Sequence, residues 1–159
     1  MSSNKRGVLF VCLGNICRSP IAEAVFKSLI QKRNVTDEWF CDSAATASYH
    51  TGELPDHRAI EILKERGLTT DHKARKLTKE DFTRFEWIFG MDESNISNIK
   101  RMAPSNSTSK IELLGSYDPE GQLIIEDPYY QGGNDGFIAN YDQCLRCCKA
   151  FLDKMNELK

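Results

Sequence analysis

The fold of this chain is decided by the stretch VLFVCLGNICRSP, residues 8–20. The first residues of this stretch belong to an apolar run, Gly7 to Val11, that is rich in β-branched and aromatic side chains. Such a run is typical of a strand buried on both faces. The run ends at Cys12, and a short loop leads to Ser19 and Pro20, a pair typical of a helix start with the serine as cap. The sequence therefore predicts a strand, a tight loop and a helix in direct succession.

Segments with strand and helix character alternate along the rest of the chain. The apolar residues of the first helix recur at positions i, i+3, i+4 and i+7, so we expect that helix to pack on a sheet. Further strands are predicted at residues 39–45, 86–91 and 110–114, and further helices at residues 56–66, 79–85, 93–102 and 134–158. This alternation predicts one α/β domain over residues 1–159, with a four-stranded parallel, doubly wound sheet and helices on both faces, as in Rossmann and flavodoxin-like folds.

The bulk composition is that of an ordinary globular protein. Of the 159 residues, 40% are hydrophobic and 28% charged, which suits one domain with one core. No apolar run is long enough to span a bilayer and no secretory leader is recognisable, so we expect a cytoplasmic protein with no membrane partner. The net charge of −2 predicts no nucleic-acid partner. The charge is uneven, because residues 1–33 hold six Lys or Arg while residues 111–135 hold six Asp or Glu, which is compatible with an anion site faced by an acidic segment.

The six cysteines admit three interpretations. A disulfide scaffold is disfavoured because the chain is large enough to fold without one and has no secretory signal. A zinc site is suggested only by Cys144, Cys147 and Cys148, without a second pair or a nearby histidine. Cys144 and Cys148 also fall on the apolar face of the last predicted helix, which favours small core residues there. We therefore expect reduced thiols, some structural and one or two reactive.

The loop from Cys12 to Ser19 is placed to bind an anion. In open α/β sheets, ligands bind beyond the carboxyl ends of the strands, and the helix that follows presents unpaired N–H groups and the positive end of its dipole. Phosphate is often held in this way. Gly14 and Asn15 allow backbone conformations that turn N–H groups inward, and Arg18 can grip two oxygens at once. The predicted phosphate-binding residues are Leu13, Gly14, Asn15, Ile16, Cys17, Arg18 and Ser19.

Cys12 suggests the chemistry of this loop. Its sulfur is expected beneath the bound anion, where a helix N-terminus and a guanidinium favour the thiolate and the Ser19 hydroxyl can add a hydrogen bond. A thiolate under a phosphoryl group that inward N–H groups hold is arranged for in-line nucleophilic attack. The alternative is a buried cysteine that ends a strand ahead of an ordinary anion-binding helix start.

Hydrolysis of a phosphate monoester also needs a proton donor for the leaving oxygen. The candidates are the acidic residues and three histidines, His50, His57 and His72. Asp127 is the most suggestive, because Pro128 favours an extended conformation before it and its loop follows the fourth strand. Tyr129 and Tyr130 could form the walls of a slot for an aromatic substrate. The alternative is that Asp-Pro is a common turn and that the tyrosines only pack.

Four motifs resemble those of the low-molecular-weight protein tyrosine phosphatases. They are VCLGNICRSPIAEAVF at residues 11–26, DSAAT at 42–46, MDESN at 91–95 and EDPYY at 126–130. Their order and rough spacing match that family over nearly the whole chain. The resemblance implies a protein that hydrolyses phosphotyrosine in proteins, or small aryl phosphates, releases inorganic phosphate and needs no metal or other cofactor. We expect it to be a monomer, although the sequence itself does not determine the oligomeric state.

The resemblance also implies roles for individual residues. Cys12 would be the nucleophile, Arg18 the phosphate clamp, and Asp127 the general acid that later activates water against a cysteinyl-phosphate intermediate. Cys17 would form a reversible disulfide with Cys12, as a resolving cysteine does in a redox sensor. A buried hydrogen-bond network that supports the loop is implied for Asn15, Ser19, Ser43 and His72. The walls of the substrate pocket are implied for Leu13, Tyr49, Tyr129 and Tyr130.

Residues 49–53, Tyr-His-Thr-Gly-Glu, depart from the common family pattern at the pocket entrance. Tyr49 still offers an aromatic face, whereas Glu53 adds a negative charge that disfavours acidic phosphopeptides. The substrate list is therefore open.

Two other functions use a similar loop. Arsenate reduction needs a relay of thiols near residues 80–90, and this chain has no cysteine between Cys41 and Cys144. A non-catalytic phosphotyrosine-binding module would be favoured if the implied nucleophile, clamp or acid were replaced, but Cys12, Arg18 and Asp127 are all present.

Overall fold

Four parallel strands form the sheet of the protein, whose computed structural model describes residues 5–159. In chain order they are β1 Arg6–Cys12, β2 Trp39–Ala45, β3 Trp87–Gly90 and β4 Lys110–Leu113. They lie side by side in the order β2-β1-β3-β4, and all three pairings are parallel. The predicted α/β fold is confirmed, and each predicted strand is found to within one residue at either end.

In the described part of the chain, five α-helices connect and cover the strands. They are α1 Arg18–Lys32, α2 His57–Glu65, α3 Asp81–Arg84, α4 Glu93–Met102 and α5 Asp135–Glu157. Two 3₁₀ turns, Leu114–Tyr117 and Pro128–Tyr130, lie in the connection between β4 and α5. Within residues 5–159, none of the helices combines the length and the apolar character that crossing a membrane requires.

β1 is buried on both faces, as its apolar run predicts. Val8 and Phe10 join the side chains of α1, α2 and α5 in one core layer, and Leu9 and Val11 join those of α3 and α4 in the other. All four side chains are fully buried. Because burial of such a side chain stabilises the fold by about 1.5–3 kcal/mol, β1 is a rigid platform for the loop at its carboxyl end.

The start of α1 differs from the prediction. The helix was expected to begin at Pro20 with Ser19 as its cap, but it begins at Arg18, and Cys17 occupies the cap position. The Ser19 hydroxyl instead lies inside the protein, where it contacts the Cys12 sulfur at 3.1 Å and accepts a hydrogen bond from Asn15. A buried tertiary partner therefore outweighs the local preference of serine for a helix cap.

The signals at the ends of the other helices act as expected. Asp56 caps α2 by accepting a hydrogen bond from the Arg58 backbone N–H at 2.9 Å, so the helix begins one residue later than predicted. Gly67 follows α2 with a φ of 78°, a left-handed conformation that glycine adopts at helix ends. On α5, Cys144 and Cys148 are buried in the core, which confirms their interpretation as core residues.

Candidate active site

The loop that leads from β1 into α1 is buried and is held by the side chain of Asn15. This residue has a φ of 59°, a left-handed conformation that asparagine tolerates, and is fully buried. Its Nδ2 donates to the hydroxyls of Ser19 at 2.7 Å and Ser43 at 3.0 Å. Its Oδ1 accepts from the Arg75 backbone N–H at 3.1 Å and lies 2.7 Å from His72 Nε2. One amide thus ties the loop to β2 and to the segment before α3.

A second layer of polar side chains surrounds this amide. His72 Nδ1 lies 3.2 Å from a Glu23 carboxylate oxygen and 3.6 Å from an Asp42 oxygen. The Ser43 hydroxyl donates to the same Glu23 carboxylate. Burial raises the pKa of Glu23, although the neighbouring His72 and the Ser43 hydroxyl act in the opposite direction. The structure therefore brings together all four residues of the implied supporting network, Asn15, Ser19, Ser43 and His72.

The Cys12 sulfur lies at the carboxyl end of β1 and lines a pocket at this edge of the sheet. It makes a hydrogen-bond contact of 3.1 Å with the Ser19 hydroxyl. Because α1 begins only six residues later, its free N–H groups lie near the same pocket and favour a negative charge there.

The Arg18 guanidinium lies almost wholly inside the protein, with 2% of the residue exposed. Its Nη1 donates to the Asp92 carboxylate at 2.7 Å and to the Ile125 carbonyl at 2.9 Å. Burial alone would lower the pKa of Arg18, but Cys12, Asp92 and Asp127 together outweigh it and the pKa is raised. Its buried Nε has no hydrogen-bond partner among residues 5–159. A charged guanidinium that is fixed on one side and has a free donor on the other is suited to grip a phosphate.

The Asp127 carboxylate lies beside this arginine at the entrance of the pocket. Its Oδ2 is 3.6 Å from Arg18 Nη2, and its Oδ1 accepts from the Tyr129 backbone N–H at 3.0 Å. The side chain is 28% exposed. The carboxylate is therefore oriented by its own turn while it remains accessible to a bound molecule.

The pocket brings together the residues that the sequence singles out. Three of the implied wall residues are tyrosines, of which Tyr49 and Tyr130 are strongly exposed at 73% and 79%. Asn15 and Ser19 do not line the pocket but lie behind it, fully buried. The lining consists of Cys12, Leu13, Gly14, Ile16, Cys17, Arg18, Tyr49, His50, Asp127, Tyr129 and Tyr130.

Cys17 also lines the pocket but differs from Cys12 in its surroundings. It is 4% exposed, and burial, together with the nearby Cys12, Asp56 and Asp127, raises its pKa far above the usual thiol range. At neutral pH the Cys17 side chain is therefore a thiol, not a thiolate.

The three histidines that the sequence offers as proton donors occupy different places. His57 is 86% exposed and does not line the pocket, and His72 lies behind the loop. His50 does line the pocket, and its Nδ1 lies 3.1 Å from the Glu53 carboxylate. Its ring packs over Gly14, so close that a Cβ on that glycine would lie 3.0 Å from the ring. Of the three, only His50 lies where it can touch a bound substrate.

Sequence reasoning missed the residues that hold Arg18 and the outer carboxylates of the network. Asp92 lies two residues after β3 and caps α4, a position at the carboxyl edge of the sheet that could have marked it. Glu23 and Asp42 belong to two of the family motifs, but the sequence does not show their roles, which depend on His72, a side chain distant in the sequence.

Comparison with known proteins agrees with this geometry. The sequence model of the family described as low molecular weight phosphotyrosine protein phosphatase matches residues 7–159. The low molecular weight phosphotyrosine protein phosphatase of Sus scrofa is 56% identical over 152 residues, which cover 94% of this chain and 96% of the relative. The protein of the same name from Homo sapiens is 54% identical over 151 residues, 94% of this chain and 95% of the relative.

Solved structures show the same similarity. The protein tyrosine phosphatase of Entamoeba histolytica superimposes with a TM-score of 0.91 at 38% identity, over 96% of this chain and 98% of the other. The Drosophila arginine phosphatase DARP superimposes with a TM-score of 0.89 at 45% identity, over 93% of this chain and 96% of the other. The chain therefore belongs to the low-molecular-weight phosphotyrosine protein phosphatase family.

Proposed function

We propose that this protein hydrolyses phosphotyrosine in proteins, and small aryl phosphates, through a phosphorylated cysteine. The observation that carries the proposal is the position of three groups in one pocket: the Cys12 sulfur, the buried Arg18 guanidinium, and the Asp127 carboxylate 3.6 Å from that guanidinium. A nucleophile, a fixed positive charge and a proton donor are the groups that transfer of a phosphoryl group requires.

In the first step, the Cys12 thiolate attacks phosphorus in line with the bond to the phenolic oxygen. An S–P bond forms as the P–O bond breaks, and Asp127, protonated at that moment, gives its proton to the leaving oxygen. The N–H groups of the loop and Arg18 hold the three non-bridging oxygens, where negative charge is spread in the transition state.

In the second step, the Asp127 carboxylate takes a proton from a water molecule, which attacks the phosphorus of the cysteinyl phosphate. The S–P bond breaks, inorganic phosphate leaves, and Cys12 returns to the thiolate while Asp127 returns to the acid. One carboxyl group therefore serves as acid and then as base, because water enters where the phenol departs.

The walls of the pocket support an aromatic substrate on the surface of a protein. Tyr49, Tyr129 and Tyr130 form an exposed aromatic rim, and Ile16 adds an apolar surface within. Aromatic rings pack well against such walls. The solved Drosophila relative is named an arginine phosphatase. A phosphoarginine side chain would need a free carboxylate in the pocket to pair with its guanidinium. Within residues 5–159, Asp127 is the only carboxylate that lines the pocket, and it is already paired with Arg18. We therefore expect an aryl phosphate here.

We further propose that the phosphatase domain comprises residues 1–159 and acts as a monomer without a metal, in the cytoplasm. The free Cys12 thiol that the mechanism needs suits a reducing compartment. When a peroxide oxidises Cys12 to the sulfenic acid, Cys17 can attack that sulfur, with loss of water, to form a disulfide that thiols reduce again. Both cysteines line the same pocket, which supports this pairing.

The proposal is tested by hydrolysis of 4-nitrophenyl phosphate and of phosphotyrosine and phosphoarginine peptides in the presence of a chelator. Cys12→Ser should abolish turnover yet still bind inorganic phosphate, and Asp127→Ala should slow turnover by roughly 10²–10⁴-fold. Cys41→Ser is the matched control, because Cys41 lies in β2 and does not line the pocket. Full activity in Cys12→Ser, or loss of activity with the chelator, would contradict the mechanism. Faster hydrolysis of phosphoarginine would contradict the substrate class.

A further inference from the structure

Arg58, in the first turn of α2, lies between loop 12–19 and the segment that carries Asp127. It is not one of the residues that line the pocket. The start of α2 is tied to the loop, because the Asp56 backbone N–H donates to the Ile16 carbonyl at 2.8 Å. Whatever is bonded to this end of α2 is therefore held at a fixed distance from the phosphate site.

Asp56 fixes the Arg58 side chain on one side. Its two carboxylate oxygens accept from Arg58 Nε at 3.0 Å and Nη2 at 3.1 Å, a bidentate ion pair. Burial alone would raise the pKa of Asp56, but the hydrogen bonds from Arg58 outweigh it and the pKa is lowered. The guanidinium is thus held flat against the cap of α2.

The other side of the guanidinium grips the turn that follows Asp127. Nη2 donates to the Tyr129 carbonyl at 3.1 Å, and Nη1 donates to the Gln131 carbonyl at 3.2 Å. The guanidinium carbon also lies 5.7 Å from the Tyr129 ring centre and 4.6 Å from that of Phe137, the first aromatic residue of α5. Tyr129 in turn donates its backbone N–H to Asp127 Oδ1 at 3.0 Å.

The rest of this segment is held differently on the two sides of Asp127. Before it, the Ile125 backbone N–H donates to the Met91 carbonyl at 2.9 Å, and Asn140 donates to the Glu126 carbonyl at 3.1 Å. After it, within the described part of the chain, Arg58 supplies the only side-chain hydrogen bonds from another element to residues 128–134. Without Arg58, the turn that orients the Asp127 carboxylate would have no side-chain hydrogen bond to another element, among the described residues, before the chain enters α5.

We propose that Arg58 is a positioning residue that holds Asp127 in place for proton transfer. The inference rests on the proposed function, in which Asp127 is the general acid. It implies that Arg58 acts on the chemical step through Asp127 and has no separate effect on the binding of phosphate by loop 12–19. It also implies that arginine is required, because a lysine ammonium has one nitrogen and cannot bridge Asp56 and two carbonyls in one plane.

The test compares Arg58→Gln with a matched control, Arg66→Gln. Arg66 ends the same helix and lies 5.3 Å from the Tyr141 ring, so it is also an arginine on an aromatic ring, but it makes no contact with the Asp127 turn. General-acid catalysis matters most for a poor leaving group. Because Asp127 also acts in the second step, which is the same for every substrate, the parameter to compare is kcat/KM, which reports the first step. We therefore expect Arg58→Gln to lower kcat/KM about 10-fold or more on phenyl phosphate and less than about threefold on 4-nitrophenyl phosphate. We expect Arg66→Gln to resemble the wild type, and Arg58→Lys to lose kcat/KM much as Arg58→Gln does.

A double-mutant cycle then decides whether Arg58 acts through Asp127. In the Asp127→Ala background, Arg58→Gln should cost less than about twofold. A loss as large as in the wild-type background would overturn the proposal and leave the proposed function intact. If Asp127→Ala were as active as the wild type, both the general-acid assignment and the role of Arg58 would fall.

Hydrogen–deuterium exchange provides a readout that does not depend on activity. The peptide over residues 126–134 should exchange faster in Arg58→Gln than in the wild type, while the peptide over residues 8–18 keeps its protection. Unchanged exchange over residues 126–134 would overturn the proposal. Faster exchange over both peptides would also overturn it, since that would show a general loss of structure.

Discussion

Replacement of Asn15 tests how loop 12–19 keeps its shape. The amide makes four hydrogen bonds, to the hydroxyls of Ser19 and Ser43, to the His72 ring and to the Arg75 backbone N–H. The residue is also fully buried in a left-handed conformation, with a φ of 59°. Asn15→Ala therefore removes a network and strains the backbone at the same time.

The two costs can be estimated separately. A residue with a Cβ in the left-handed region costs about 1–2 kcal/mol. Three side-chain hydrogen bonds are worth about 1 kcal/mol each, and the Arg75 N–H left without a partner costs about 1–3 kcal/mol. Because the two serines keep other partners, we expect a total near the lower end, about 5–6 kcal/mol of unfolding free energy.

A second asparagine separates the cost of backbone strain from the cost of the lost hydrogen bonds. Asn34 has a φ of 56° but is exposed, and its side chain makes no hydrogen bond within residues 5–159. Asn34→Ala should therefore cost only the backbone term, about 1 kcal/mol. At Asn15 itself, glycine removes the strain but not the loss of the network, so Asn15→Gly should be more stable than Asn15→Ala by about 1 kcal/mol, the reverse of the usual order in helices.

The assay is equilibrium unfolding in urea, followed by the fluorescence of Trp39 and Trp87, which are buried in the core. The slope of the free energy against urea should stay constant, so that the midpoint alone reports stability. Equal losses for Asn15→Ala and Asn34→Ala would refute the reasoning, because the network would then contribute nothing. An Asn15→Gly protein less stable than Asn15→Ala would refute the backbone part alone.

Three further predictions concern charged residues. Asp92→Asn should weaken inhibition by inorganic phosphate about 3–10-fold, because the neutral amide holds the Arg18 guanidinium less firmly; unchanged inhibition would count against it. The buried Asp118 carboxyl has a lowered pKa, because hydrogen bonds from Arg146 outweigh the effect of burial. The ionised carboxylate therefore stabilises the fold above the pKa of an unfolded aspartate, about 3.9, and this stabilisation is lost as the pH falls further. Asp118→Asn should thus lower the free energy of unfolding, measured in urea at pH 7, by about 1–2 kcal/mol. The same difference between variant and wild type at pH 2 would contradict this prediction. Glu53→Gln should raise kcat/KM for phosphopeptides with acidic neighbours several-fold over neutral ones at low salt, an advantage that 0.5 M salt should remove.

The strands and the reactive loop could be predicted because their signals are local. A continuous apolar run can only be a strand buried on both faces or a buried helix segment, and the Cys12-to-Ser19 loop that follows it favours the strand. Cys12 and Arg18 lie in the same short loop, so the sequence alone suggests that they act together. Asp127 lies more than a hundred residues away, and without the family resemblance its Asp-Pro pair could equally have been an ordinary turn.

Contacts made at a distance could not be predicted. Asp92 holds Arg18 and Arg58 holds the Asp127 turn, and neither pair has a spacing that the sequence reveals. The same limit explains the error at α1. A Ser-Pro pair predicts a cap from its immediate neighbours, but the Ser19 hydroxyl is taken by Cys12 and Asn15, whose positions are set by the whole sheet edge.

The distribution of buried polar side chains indicates what this arrangement costs and why it persists. Ten polar or charged residues are buried among residues 5–159. Five of them belong to loop 12–19 or to the network that supports it: Asn15, Arg18, Ser19, Glu23 and Ser43. Removal of one member is costly because its partners stay buried and unpaired, but the network as a whole contributes little net stability once desolvation is counted. What the network provides is a loop whose N–H groups are fixed before phosphate arrives, so that little reorganisation is needed when charge develops in the transition state. The Gly-Asn pair lets the backbone of the loop curl, and the inward hydrogen bonds of its polar residues then hold it in that shape.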